Sequence, residues 1–173
     1  MLARGDYEAS VRGIAIPTGA RQRSITPAPH PAVPPAPQKS IVLVDDEKSY
    51  TDLLTQMLAE NLDCPVYAYS RPLDALKALP EANPGVIVTD YHMPQLDGLE
   101  FIREASQVAP AAHFVLISGH NLSTATDRMA RLTALKSYMP KPFGWRKLAE
   151  EILRVWPEHT PAPGPRAADT APL

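Results

Sequence analysis

The chain has 173 residues, 45% of them hydrophobic and 21% charged, with a formal net charge of −2. That is room for one domain with tails, and the near balance of charge gives no electrostatic case for nucleic acid or an anionic membrane surface. The single cysteine excludes an internal disulfide, and no apolar run approaches the roughly 18 to 20 residues of a spanning helix.

The N-terminus, MLARGDYEASVRG, lacks the continuous apolar stretch of a signal peptide, so the expectation is a cytoplasmic protein without membrane insertion. Seven of the 20 prolines fall in residues 1–39, and TPAPHPAVPPAPQ (26–38) alternates proline with alanine. Such a segment favours extended polyproline conformations over a packed core. Residues 1–38 are therefore expected to be a disordered extension, 39–157 the folded domain, and 158–173, with its own proline–alanine pattern, a disordered tail. Arg4-Gly5-Asp6 spells an adhesion tripeptide, which in a cytoplasmic tail is a coincidence of composition.

The folded part opens with IVLV (41–44), a β-branched run that suits a central strand buried on both faces. EKSYTDLLTQMLAENL follows as a helix with Tyr50, Leu53, Leu54, Met57 and Leu58 on one stripe. Cys64, between this helix and the next strand, reads as a small surface or partly buried residue. PVYAY (65–69) is the second strand, and Ser70 is placed to cap the helix RPLDALKAL. Pro84-Gly85 punctuates the chain before VIVT (86–89), the third strand, which runs into Asp90. A helix starts at about 98 in DGLEFIREAS, and HFVLI (113–117) is a fourth strand. Residues 121–135 pattern weakly as helix, and KSYM (136–139) is a short fifth strand. In the last helix Leu148, Ala149, Ile152, Leu153, Val155 and Trp156 share one side, Arg146, Lys147, Glu150, Glu151 and Arg154 the other, and Pro157 stops it. Trp145 sits at the edge of that apolar arc, fit either for the core or for anchoring a partner.

Alternation of this kind implies an α/β fold: a doubly wound, five-stranded parallel sheet with helices on both faces. Function in such sheets gathers at the carboxyl ends of the strands. Those ends carry Asp45-Asp46, Asp90, Ser118 and, just past the fifth strand, Lys141. Three carboxylates side by side repel unless something cationic intervenes. A hard divalent ion such as Mg²⁺ resolves the repulsion and joins carboxylates to phosphate oxygens. A lysine adds a mobile charge, a hydroxyl adds a hydrogen bond, and a metal-bound carboxylate can attack phosphorus to form an acyl phosphate. An isolated Asp-Asp at a strand end more often caps a turn or helix; the five residues together carry the argument.

IVLVDDE (41–47), VIVTDYHMPQLDG (86–98), FVLISG (114–119) and YMPKPF (138–143) resemble the response-regulator receiver family of two-component systems, across about residues 40–156. The resemblance implies a flavodoxin-like receiver fold, with Asp90 as phosphoacceptor. It implies Mg²⁺ held by Asp45, Asp46, Asp90 and the backbone carbonyl of His92, with Ser118 and Lys141 on the phosphoryl group. Tyr138 matches the family's aromatic switch residue and Gly119 the position that leaves room for it. His92 and His120 match rim positions that govern access of water. Lys141-Pro142 matches a peptide bond that is usually cis. Two departures stand out: serine replaces the commoner threonine at 118, and Lys136-Ser137 replaces acidic residues used for dimerisation in the transcription-factor branch.

The implied function is a stand-alone receiver that takes its phosphoryl group from a histidine kinase or histidine phosphotransfer protein. It would signal to a downstream protein target through the face of the fourth helix, fifth strand and fifth helix. No turnover of an external substrate is expected. A phosphorylation-independent adaptor is the alternative, disfavoured by an intact Asp90, Ser118 and Lys141. A Mg²⁺ phosphohydrolase would want D-x-D after the first strand, and LVDDE does not supply it. Sixteen residues follow Pro157, too few for a helix-turn-helix output domain.

Overall fold

The computed structural model describes residues 38–158 and 162–166. The expected N-terminal extension, up to residue 37, and the outermost part of the expected tail lie outside the described residues. The elements are β1 (Ser40–Val44), α1 (Lys48–Asn61), β2 (Val66–Tyr69), α2 (Pro72–Ala82), β3 (Pro84–Asp90), α3 (Gly98–Val108), β4 (His113–Ser118), a 3-10 turn (Ser123–Ala125), α4 (Thr126–Ala130), β5 (Leu135–Pro140) and α5 (Trp145–Arg154). The five strands are all parallel in the order β2-β1-β3-β4-β5, as expected for a doubly wound sheet.

Side chains alternate across each strand, so the central strands feed two separate cores. Ile41, Leu43, Val86, Val88, Val115 and Ile117 meet Leu54 and Leu58 of α1 and Leu148 and Ile152 of α5. Val42, Val44, Ile87, Phe114 and Leu116 meet Ala75 and Leu79 of α2 and Leu99, Phe101 and Ile102 of α3. Burial on both faces is why β1, β3 and β4 read as unbroken apolar runs rather than alternating ones. Each fully buried Leu, Ile, Val or Phe contributes roughly 1.5–3 kcal/mol, and Phe101 and Phe114 are among the largest.

Register then aims the chemistry. Val44 pairs with Thr89, so Asp45 and Asp90 leave the sheet side by side. Ser118 pairs with Pro140, so Lys141 emerges next to Ser118. The sheet changes winding direction between β1 and β3, which opens a crevice at their carboxyl ends.

Several local expectations change. Ser70 does not cap α2; Arg71 is the N-cap, no side chain caps the end, and Pro72 preorganises the first turn instead. Pro84 and Gly85 lie inside β3 rather than before it. At Gly85 a Cβ would meet the Trp156 ring at 2.8 Å, so the glycine makes room for the end of the last helix. Leu53 and Leu153, assigned to buried stripes, are exposed on α1 and α5, because each sits at the margin of an arc whose centre already fills the core. Trp145 is half-buried against the α1/α5 core.

The expected C-terminal tail also contributes structure. Asp63 N–H donates to the Gly164 carbonyl (2.9 Å), and Arg166 N–H donates to the Asn61 carbonyl (3.1 Å). Leu62 and Pro165 thereby form an antiparallel bridge. Pro163 is buried. This strap closes over the turn from α1 to β2, where Cys64 is fully buried rather than at the surface.

Burial, with a smaller push from Asp63, raises the Cys64 thiol from 9.0 to about 11, against a lowering pull from Arg166. Only the thiolate reacts with alkylating reagents, so Cys64 is expected to resist iodoacetamide at pH 8. Because the native pKa lies above the unfolded one, stability is unaffected below pH 9 and falls as pH rises from 9 towards 11. A chain ending at Glu158 lacks the strap and should label faster; equal labelling rates followed by mass spectrometry would show that the strap does not shield the thiol.

Candidate functional site

Asp45 follows β1 and Asp90 ends β3, and both are buried. Each carboxylate has one oxygen held by a local amide. Glu47 N–H donates to Asp45 Oδ1 (2.9 Å), and His92 N–H donates to Asp90 Oδ2 (2.7 Å). The remaining oxygen of each faces the same ammonium: Lys141 Nζ lies 2.7 Å from Asp45 Oδ2 and 2.9 Å from Asp90 Oδ1. Lys141 is itself placed by its backbone, whose N–H donates to the Ser118 carbonyl (2.7 Å), and by a cis bond to Pro142, as the sequence implied. Burial lowers the lysine's affinity for its proton, but hydrogen bonds to Asp45 and Asp90, and their charges, outweigh it. The ammonium ends above its ordinary pKa of 10.5.

Two aromatic residues complete the wall. The Tyr50 ring centroid is 5.2 Å from Lys141 Nζ, and Phe143 packs edge-on against Tyr50 at 6.1 Å. Tyr50 was assigned only to the buried stripe of α1. Its second role had no signal in the pattern, because ring and lysine are 91 residues apart. The Tyr50 hydroxyl is buried and lacks a hydrogen-bond partner among the described residues. Desolvation pushes its pKa up, against the lowering effect of Lys141.

The β3–α3 return lets the chain pass close over the site. Gly98 N–H donates to the Tyr91 carbonyl (2.8 Å), and a Cβ at Gly98 would collide with the Asp90 carbonyl oxygen and lie 2.8 Å from Leu116. Asp97 caps α3, accepting from Glu100 N–H (2.8 Å), while the Glu100 carboxylate accepts from Asp97 N–H (3.1 Å): a capping box. The free oxygen of Asp97 pairs with Arg128 of α4 at 2.8 Å, a tether the sequence did not reveal.

Ser118 is fully buried. Its Oγ accepts from His120 N–H (3.1 Å), and the Tyr138 hydroxyl donates to the His120 carbonyl (3.1 Å). The backbone of His120 is thus gripped at both ends by Ser118 and Tyr138. Around Gly119 there is open space, with nothing within 4 Å of where a Cβ would stand. Alanine would fit there as well.

His92 and His120 lie exposed at the rim with ring centroids 4.6 Å apart. Asp46 is exposed and its carboxylate joins no hydrogen bond or ion pair among the described residues. Three Asp, Glu, His or Cys side chains do not converge as a ready-made metal cluster anywhere among the described residues. What the site does offer is a set of oxygen donors and two buried carboxylates sharing one cation, an excess of negative charge that suits a hard divalent ion.

The family model of the response regulator receiver domain matches residues 41–153. The chain belongs to that family. Similar proteins include the DNA-binding transcriptional regulator NtrC of Azospirillum brasilense, 27% identical over 122 residues, covering 70% of this chain and 25% of that one. Response regulator MprA of Mycobacterium sp. (strain KMS) is 27% identical over 126 residues, covering 72% and 54%. The chain therefore spans between about a quarter and about half the length of these relatives. Among solved structures, a CheY-like receiver domain protein from Methanospirillum hungatei JF-1 superposes with a TM-score of 0.61 at 22% identity, covering 66% of this chain and 90% of that one. The Vibrio cholerae chemotaxis protein CheY4 gives 0.61 at 20%, covering 68% and 98%. These likenesses bear on the fold. Receiver domains are generally non-enzymatic signalling domains of two-component systems, and no described helix is long and apolar enough to cross a membrane.

Removing Lys141 leaves two buried carboxylates without their shared partner, which costs about 3–5 kcal/mol when an ion pair is fully buried. Lys141→Met should lower stability towards that range in urea denaturation at pH 7. In an Asp45→Asn background the same change should cost at least about 1 kcal/mol less, because the two residues are in contact. The lysine's pKa is raised, so its contribution is complete below pH 10.5 and fades as pH climbs above that value. Additive costs would show that the bridge does not hold in solution.

Proposed function

We propose that this receiver accepts a phosphoryl group on Asp90 and that the event is read out on the face formed by α4, β5 and α5. The observation that carries the reading is the shared Lys141 ammonium, which pins one oxygen of Asp90 beside Asp45 at the mouth of the crevice. In the step, Asp90 Oδ1 attacks the phosphorus of a donor, either a phosphohistidine of a histidine kinase or phosphotransfer protein or a small acyl phosphate. The new O–P bond forms as the donor's N–P or O–P bond breaks, and the leaving group keeps the bonding pair. A leaving imidazole then takes a proton from water. Asp90 becomes an acyl phosphate, a covalent intermediate of the aspartyl kind.

Mg²⁺ is the cofactor assigned to the reading, held by Asp45, Asp46, Asp90 and the His92 carbonyl; when bound it neutralises charge on the phosphoryl oxygens. Lys141 supplies a second positive charge to those oxygens. Ser118 brings a hydroxyl that can donate to one of them. Its Oγ accepts from His120 N–H (3.1 Å) in the unphosphorylated protein. A Ser118 that turns towards the phosphoryl group loosens the His120 amide, and the His120 carbonyl carries the Tyr138 hydroxyl with it. That chain of contacts runs from Ser118 at the end of β4 to Tyr138 on β5.

The test uses acetyl phosphate with Mg²⁺ and intact-mass measurement. The wild-type chain should gain one phosphate, lose the gain in excess EDTA, and show none as Asp90→Asn. Ser118→Ala should still be phosphorylated but leave Tyr138 and α4 unchanged in hydrogen exchange. A phosphate retained by Asp90→Asn would place the acceptor elsewhere. A wild type that never takes one would leave the phosphorylation-independent adaptor as the reading.

A further inference from the structure

The mouth of the acidic crevice carries two imidazole rings that the proposed phosphoryl-transfer step does not use. His92 follows β3 by two residues and His120 follows β4 by two, and the order of the sheet makes β3 and β4 neighbours. The two imidazoles therefore come from independent loops and still meet, with centroids 4.6 Å apart and planes at 61°. The Tyr91 ring lies 4.7 Å from that of His92 between centroids. Both backbone amides are engaged, with Asp90 and Ser118, which fixes where the side chains start. The rings themselves make contacts with rings alone: neither forms a side-chain hydrogen bond or ion pair among the described residues. This differs from His113, whose Nδ1–H donates to the Val155 carbonyl at 2.7 Å.

We propose that His92 and His120 form a binding site for one borderline divalent ion of the zinc, nickel or copper class, separate from the oxygen donors at Asp45 and Asp90. Imidazole nitrogen suits these ions, whereas Mg²⁺ selects oxygen. Tetrahedral coordination with Zn–N near 2.0–2.1 Å sets two ligating nitrogens roughly 3.3 Å apart. Rings 4.6 Å apart between centroids reach that separation by rotation of exposed side chains. The edge-on contact costs little to give up, because both rings are solvated on their outer sides. Two protein donors leave the remaining positions to water, so the site is an exchangeable one rather than a structural centre.

The inference does not depend on phosphorylation, and its test uses the unphosphorylated full-length chain. His30→Ala and His159→Ala first remove the two histidines outside the described residues. Zn²⁺ is then titrated by calorimetry at pH 7.5 with saturating Mg²⁺, which keeps the oxygen donors occupied. One equivalent should bind. His92→Ala or His120→Ala should each weaken binding by more than about ten-fold, and His113→Gln should leave it unchanged. Both rim residues are exposed, so circular dichroism should report an intact fold in each variant. As a second readout, Ni²⁺ should broaden the imidazole proton resonances of His92 and His120 and spare that of His113. Saturable binding that survives the His92→Ala, His120→Ala double change would overturn the proposal, as would a parent that binds no Zn²⁺ at all.

Discussion

Two carboxylates of adjacent strands cannot share the buried end of a parallel sheet unless a cation lies between them, and here that cation is the ammonium of Lys141. At 2.7 Å and an effective dielectric near 20, one such pair attracts by about 6 kcal/mol. Removing each ion from water costs several kcal/mol in return. The net gain is therefore small, and the arrangement is better understood as a geometric constraint than as a source of stability. It fixes the ends of β1 and β3 and the segment beyond β5 relative to one another. It also explains why the local amides of Glu47 and His92 each take one carboxylate oxygen: without them the second lone pairs would be buried unpaired.

The helices differ in how firmly they are held. α1, α2, α3 and α5 each bury at least three residues, whereas α4 buries none of its own. Its anchoring comes from Leu122 and Ala125 ahead of it, from half-buried Met129, and from the Arg128–Asp97 pair. Partly exposed ion pairs contribute about 0–1 kcal/mol. An element held this lightly can shift without unfolding the domain, and it adjoins the loop whose His120 peptide is gripped by Ser118 and Tyr138. Among the described helices, the one that buries least thus follows the loop that leaves β4 at Ser118.

How much of this was legible in the sequence follows from the range of the interactions involved. β-branched runs and their terminal aspartates are local, so β1, β3 and β4 and the positions of Asp45, Asp90 and Ser118 could be read directly. Lys141 could be placed because it follows a short strand in a known order. α4 was weakly patterned in the sequence because it is weakly buried in the structure; both are one fact. The margins of helical stripes misled, as Leu53 and Leu153 show, since periodicity gives an arc's centre better than its width. Contacts between distant segments had no local signature. The Tyr50–Lys141 approach, the Arg128–Asp97 tether and the strap of residues 162–166 belong to this class. The strap is the sharpest case: proline and alanine argued against a packed core, but residues 164–166 pair with residues 61–63 through backbone groups, which leave no apolar pattern to read.

A phosphoryl group on Asp90 would change the balance at this site in a definite direction. The carboxylate's single charge would give way to about −1.5 to −2 on oxygens that lie farther out along the crevice. Lys141 would then face a stronger attractor than Asp45 provides, and its ammonium would follow the phosphoryl oxygens. The buried Ser118 hydroxyl would gain an acceptor stronger than any it has in the unphosphorylated protein, since hydrogen bonds to ionised groups are roughly twice as strong as neutral ones. A shift of its Oγ towards that acceptor would lengthen the 3.1 Å bond from the His120 amide. The His120 carbonyl accepts from the Tyr138 hydroxyl, so on the proposed reading a charge added at β3 would reach β5 through these two hydrogen bonds. Serine in place of threonine at 118 would keep the hydroxyl that such an exchange needs.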